Sequence, residues 1–230
     1  MGLRDRLENS VMLERAFGGA AAGFFGLAQR RTAWRIEGLD DLRGFLSAGP
    51  VLYLCWHSRL LMAIAQWPRD AGQMTTIHNH APIGRVGAEV ARRQGLDPVV
   101  MRRRGSNREV SRKVLKAFRA GNSIGMAADG PIGPAHRVSA GAMEWARITG
   151  APIVGYAFST TRGHRADSWD RMLLPLPFAE GAAVFEPFDH PPLSRQADEA
   201  GRKAFRAAIA AHLDRVTARA DAMLGLPPGP

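Results

Sequence analysis

A chain of 230 residues with 46% hydrophobic content and a net charge of +10 can build a sizeable core beneath a strongly basic surface. That composition excludes a disordered chain, and Cys55, the single cysteine, excludes an intrachain disulfide and a cysteine metal cluster. Lysine stands only at 113, 116 and 203, so arginine carries almost all the positive charge, which suits anionic membranes, phosphorylated ligands, acidic carrier proteins or nucleic acid.

Residues 3–31 are expected to form a helix. Leu13, Phe17, Ala20, Phe24 and Leu27 recur at spacings of four and three and draw one apolar stripe. Arg4, Arg6, Arg15, Arg30 and Arg31 surround it, the pattern of an amphipathic helix lying in a membrane interface; packing against the core is the alternative. The charge-free run 16–28 is roughly 20 Å long as a helix, short of a bilayer core of about 30 Å. Asp5, Glu8 and Glu14 argue against a signal peptide.

Strand and helix then alternate. Strands are expected over 34–38, 51–56, 74–78, 98–101, 123–127, 152–158, 172–175 and 182–186. Helices are expected over 40–46, 58–66, 82–94, 109–120, 139–149 and 198–224, with Gly95, Gly121 and Gly150 as stops. Residues 227–230, Pro-Pro-Gly-Pro, form a tail. The alternation predicts an α/β fold with a largely parallel central sheet flanked by helices. The chain divides into an interfacial helix (1–31), an α/β domain (32–226) and the tail (227–230).

Three stretches carry candidate chemistry. The run Val-Leu-Tyr-Leu-Cys-Trp over 51–56 reads as a strand buried on both faces, and it delivers His57 to a strand–helix turn. Such turns lie at the carboxyl edge of an open α/β sheet, where active sites form. His57 is therefore a candidate general base for acyl transfer, and Cys55, two residues earlier, reads as a buried structural thiol. The loop Asp129-Gly130-Pro131-Ile132-Gly133-Pro134 is rigid enough to present Asp129 and aim backbone N–H groups at an oxyanion or phosphate, with Gly130, Pro131 and Gly133 as candidate substrate-binding residues. The basic loop Arg102-Arg103-Arg104-Gly105-Ser106 opens a helix that repeats charge at Arg108, Arg112 and Lys116, a candidate phosphate site beside a solvated basic face. These basic residues lack the interleaved aromatics of single-strand platforms, so no nucleic acid is expected as a partner.

Trp56-His57-Ser58-Arg59, Arg104-Gly105-Ser106, Asp129-Gly130-Pro131-Ile132-Gly133-Pro134, Ala151-Pro152-Ile153-Val154, Ser168-Trp169-Asp170-Arg171 and Pro175-Leu176-Pro177-Phe178 follow one another in an order that resembles one family. The chain is similar, over roughly 30–190, to the lysophospholipid acyltransferase-like superfamily, in the branch that includes Kdo-independent secondary acyltransferases of lipid A. The resemblance implies an acyltransferase-like fold and transfer of a fatty acyl chain from acyl carrier protein or acyl-CoA to a hydroxyl of an anionic membrane lipid, a lipid A precursor or a lysophospholipid. It implies no cofactor or metal, a place at the cytoplasmic face of the inner membrane, His57 as base, and acceptor contacts from Arg59, Arg104, Gly105, Ser106 and Arg108. In the superfamily an aspartate five residues after the histidine orients it; here Met62 stands there, and Ile83-Gly84 replaces a later Asp-Gly. Asp129 is the first candidate to partner His57 and Asp170 the second, with His78 and His80 as local substitutes. A chain lacking that acid altogether would bind or move lipid without chemistry.

Overall fold

The computed structural model describes residues 11–102, 107–194 and 196–230. Its strands in chain order are β1 (Ala33–Glu37), β2 (Leu52–Cys55), β3 (Met74–His78), β4 (Asp97–Val100), β5 (Ser123–Ala127), β6 (Ile153–Thr160), β7 (Gly163–Arg165), β8 (Leu173–Pro175) and β9 (Glu180–Pro187). Its helices are α1 (Val11–Arg31), α2 (Leu39–Ala48), α3 (Pro82–Arg93), α4 (Arg108–Arg119), α5 (Ala140–Thr149) and α6 (Glu199–Ala222).

Seven strands make the main sheet in the order β1-β9-β6-β2-β5-β3-β4. β2 pairs parallel with β5 and β6, and β3 pairs parallel with β4 and β5. Only β9 meets its neighbour β6 antiparallel, and β1 runs parallel beside β9. The fold is thus the mixed α/β, mostly parallel arrangement that the alternation predicts. β7 and β8 form a separate antiparallel pair outside this sheet.

The central position of β2 follows from its composition. All four of its residues are buried, which suits a strand covered on both faces. Leu52 and Leu54 point into a core shared with Val114 of α4, Ala142 and Ala146 of α5, and Ile209 and Leu213 of α6. Tyr53 and Cys55 alternate to the other face, against Leu42 of α2, Ala91 of α3 and the rings of Tyr156 and Phe185. Helix starts are held by side chains: Ser139 accepts from the Ala142 amide at 3.2 Å and Asp198 from the Gly201 amide at 2.7 Å. Gly38, at φ 73°, lets the turn after β1 pass so close to the Phe185 carbonyl that no Cβ fits there.

One expected element is corrected, and one short strand stands where none was expected. The segment 58–66 is not a helix: a 3-10 turn, His57–Arg59, is followed by further tight turns, with Arg59 N–H bonded to Trp56 O and Ala63 N–H to Leu60 O. Arg59, in the first of these turns, sends its guanidinium to acceptors far along the chain, Phe158 O and Asp221. β7, only three residues long, has no alternation by which to read it.

α1 packs on α3 through small residues. Gly18 lies against Glu89, Ala22 and Ala28 are buried, and Glu14 pairs with Arg85. The predicted stripe is not the packing face: Phe17 and Leu27 are exposed, and Leu13 and Phe24 are half-buried. Residues 3–10 of the expected helix lie outside the described residues. Among the described residues, no helix is long and apolar enough to cross a membrane.

Candidate active site

β2 ends at the carboxyl edge of the sheet, and the turn that follows presents His57 there. Its Nδ1 lies 2.5 Å from Oδ2 of Asp170, which sits in the loop between β7 and β8. The pair is placed asymmetrically: 22% of the His57 side chain is exposed, against 3% for Asp170. Ser168 Oγ donates to the other Asp170 oxygen at 2.5 Å. Burial pushes the Asp170 carboxyl up, but hydrogen bonds from Ser168 and His57 outweigh it and hold the group below the usual carboxylate range. An ionised Asp170 accepts the Nδ1 proton, so the neutral ring carries its lone pair on Nε2. Nε2 has no protein partner among the described residues. This is the arrangement of a base oriented by an acid.

Asp129 does not meet the ring, which corrects its assignment as first partner. It is almost fully buried, and its Oδ1 accepts the backbone N–H of His57 at 2.9 Å while Oδ2 accepts that of His136 at 3.4 Å. The carboxylate therefore fixes the main chain of the turn and leaves the imidazole to Asp170. Burial raises its pKa, offset in part by the His57 amide. The rest of its loop reaches the site indirectly. The Gly130 amide is spent on Ala127 O at 3.3 Å within the turn, and Pro131 and Ile132 project outward. Gly133 lies flat beneath Trp169, where a Cβ would stand 2.6 Å from the indole. Trp169 in turn tilts over His57, ring centroids 5.2 Å apart. Ile132 and Trp169 give the site an exposed apolar lip.

A second histidine stands behind the first. His136 stacks on Trp56 at 4.9 Å, and its Nδ1 lies 2.8 Å from Asp214 Oδ1, which also receives Trp56 Nε1 at 2.9 Å. His136 takes a left-handed φ of 57°, a conformation kept by these contacts on both of its sides.

Arg59 is corrected from a substrate contact to an internal one. Its side chain is wholly buried and forks onto Asp221 of α6 at 2.9 and 2.8 Å. It also donates to the carbonyls of Phe158, Gly229 and Pro230. All five guanidinium N–H groups are thereby used, leaving none for a ligand. Cys55 is buried and its thiol is pushed far up, first by burial and then by Asp129, so it is no nucleophile. His78 bonds Thr76 Oγ1 at 2.9 Å, and the group that meets His57 Nδ1 is Asp170, in the place for which His78 and His80 stand as local substitutes in the sequence. Arg104, Gly105 and Ser106 lie outside the described residues. Arg108 opens α4 and is exposed at the carboxyl edge of β4. That edge is three strands from β2, about 14 Å at ordinary strand spacing.

The sequence reading left Ser168, Trp169, His136 and Asp214 without roles. Ser168, Trp169 and Asp170 share one short motif, whose only signal is its place in the ordered succession of motifs.

No protein-family model matches this chain. An uncharacterised protein of Rickettsia prowazekii is 25% identical over 134 residues, which cover 58% of this chain and 61% of that protein. The chain thus matches about three fifths of that relative's length. Among solved structures, the 1-acyl-sn-glycerophosphate acyltransferase PlsC of Thermotoga maritima superposes with a TM-score of 0.49 at 14% identity, over 95% of this chain and 85% of that one.

Proposed function

We propose that this protein transfers a fatty acyl chain from a thioester to a hydroxyl of a membrane lipid, with His57 as general base and Asp170 as its orienting acid. One observation carries the reading: an imidazole tied through Nδ1 to a buried carboxylate at the sheet's carboxyl edge, with Nε2 left open under an apolar lip. The ordered motifs of the sequence support the same reaction.

In this mechanism Nε2 removes the proton of the acceptor hydroxyl as its oxygen attacks the thioester carbonyl. The tetrahedral intermediate collapses with loss of the C–S bond, and the imidazolium returns its proton to the departing thiolate. Asp170 stays ionised and stabilises the imidazolium. A thioester is already activated, so no covalent enzyme intermediate is needed, and holding two bulky reactants together lowers the barrier further. The positive edge that includes Arg108 receives the acceptor's anionic group. The outward residues of α1, Phe17 and Leu27 among Arg15, Arg30 and Arg31, rest in the interface at the cytoplasmic face of the inner membrane. The donor is acyl carrier protein or acyl-CoA, and the acceptor a lipid A precursor or a lysophospholipid. Binding without chemistry loses its motive, because Asp170 supplies the acid that the spacing after His57 lacks.

The test is turnover by purified protein, with radiolabelled acyl carrier thioester and acyl-CoA in separate arms and each acceptor in mixed vesicles. Labelled acylated lipid is expected in at least one combination. His57→Ala and Asp170→Asn should each lower kcat by about 10²–10⁴-fold. Full turnover by His57→Ala would refute the mechanism.

A further inference from the structure

Beside the His57–Asp170 pair in the chain stands a second arrangement that proton transfer does not use, buried at Arg59 and half-buried at Arg165 and the tail. Arg59 stands two residues after His57, and Arg165 ends β7, the strand that leads into the Asp170 loop. Their guanidinium groups converge on one acceptor, the carbonyl of Pro230: Arg59 donates through Nε at 2.8 Å, and Arg165 through Nη1. Arg165 Nη1 also holds the carbonyl of Arg171, the residue next to Asp170, at 3.2 Å. Gly229 adds two further ties. Its carbonyl accepts from Arg59 Nη2 at 2.9 Å, and its N–H donates to Asp221 Oδ2 at 2.9 Å. The turn that carries the base and the hairpin that carries its acid therefore share a hydrogen-bond acceptor, and the tail supplies it.

We propose that residues 229–230 are a brace that sets the distance between His57 and Asp170. The inference rests on the reading of His57 as a base.

The physical need for a brace is plain. β7 and β8 form a two-stranded pair that is not part of the main sheet, and an isolated hairpin of this kind has little stability of its own. Two guanidinium groups face each other there, with Asp221 as the carboxylate bonded to one of them. Burial first, and then the Arg59 charge, lowers the Arg165 pKa to about 10. A main-chain oxygen placed between the two guanidinium groups accepts from both and ties the hairpin to the turn. Without it, the hairpin relaxes outward and carries Asp170 with it. The brace acts through Asp170, so Gly229 and Pro230 are positioning residues and touch no substrate.

Two variants test this at the tail. The first ends at Pro227. The second is Gly229→Leu, because a side chain on Gly229 would begin 2.9 Å from Arg165 Nη2 and 3.4 Å from Arg59 Nη2 and so crowd the two guanidinium groups where they meet the tail. The first measurement is the proton NMR signal of His57 Nδ1–H, assigned by its loss in Asp170→Asn. The wild-type signal should be far downfield and slow to exchange, and both variants should exchange it at least about tenfold faster. The second measurement is acyl transfer, in which kcat should fall about tenfold with KM unchanged, the mark of a misplaced base. A wild-type protein without turnover whose Nδ1–H signal still responds to tail loss keeps the brace and rejects the acyltransferase reading. An unchanged signal with unchanged kcat in both variants overturns the brace, whatever happens to the melting temperature. A rise in kcat overturns it too, since that would make the tail an obstruction.

Discussion

At the scale of single residues, the Arg59–Asp221 pair is the most demanding feature of the interior. Both side chains are essentially inaccessible, at 0% and 3% exposure. Taking two charges out of water costs several kcal/mol for each ion, and only saturated hydrogen bonding offsets it. Asp221 meets that condition, accepting from Arg59 twice, from Ser159 Oγ at 2.6 Å and from the Gly229 amide. Asp221→Asn leaves a buried guanidinium without its countercharge and should cost about 3–5 kcal/mol in urea unfolding. A loss below about 1 kcal/mol would show that water or another acid replaces Asp221. The same pair explains a misreading of the sequence. Arg59 stands beside the base in the chain, so it reads as a ligand contact. Its real partner is 162 residues away, and nothing in the local pattern announces it. Asp170 is hidden in the same way, 113 residues from His57. Spacing rules read along one helix or strand find partners that share an element, and these do not.

At the scale of elements, legibility follows burial on two faces. β3 and β5 have the bounds their composition predicts, and the capped helices end within a residue or two of their signals. The stretch after β2 departs from its expected helix and runs in tight turns while Met62 and Ala63 still pack in the core. The end of β3 also carries a titrating group. Burial first, and then the Arg92 charge, hold the His78 imidazole at about 4, well below its ordinary 6.5. An unfolded chain takes up that proton near the ordinary value and the folded chain resists it, so the contribution is whole above pH 6.5 and lost as pH falls toward about 4. Asp129 works in the opposite sense. Its raised carboxyl pKa favours the folded state at low pH and loses that contribution as pH rises. His78→Gln should therefore lose less thermal stability than wild type between about pH 7 and about pH 4.5. Equal losses would place the titration elsewhere.

At the scale of the whole molecule, the sheet separates two unlike surfaces. α2 and α3 cover one face, with α1 stacked on α3, and α4, α5 and α6 cover the other. α1 buries small residues, Gly18, Ala22 and Ala28, and leaves Phe17 and Leu27 exposed, an inversion of the usual use of an amphipathic helix. Phe17, 63% exposed, would normally be the residue to bury. Left outward among arginines, it suits a surface that is apolar below and anionic above. The net charge of +10 adds attraction of about 1 kcal/mol for each arginine or lysine that reaches an anionic headgroup layer. Two contributions with different salt dependence follow, and they can be separated. Wild-type protein should sediment with phosphatidylglycerol-containing vesicles and much less with pure phosphatidylcholine. Raising salt should weaken the first without abolishing it, because screening leaves apolar insertion intact. Combining Phe17→Glu with Leu27→Glu should remove the salt-resistant part while the melting temperature stays near wild type, since neither side chain packs in the core. Vesicle binding that salt abolishes completely, or that the double variant retains, would make α1 a packing helix whose exposed aromatics have no lipid to meet.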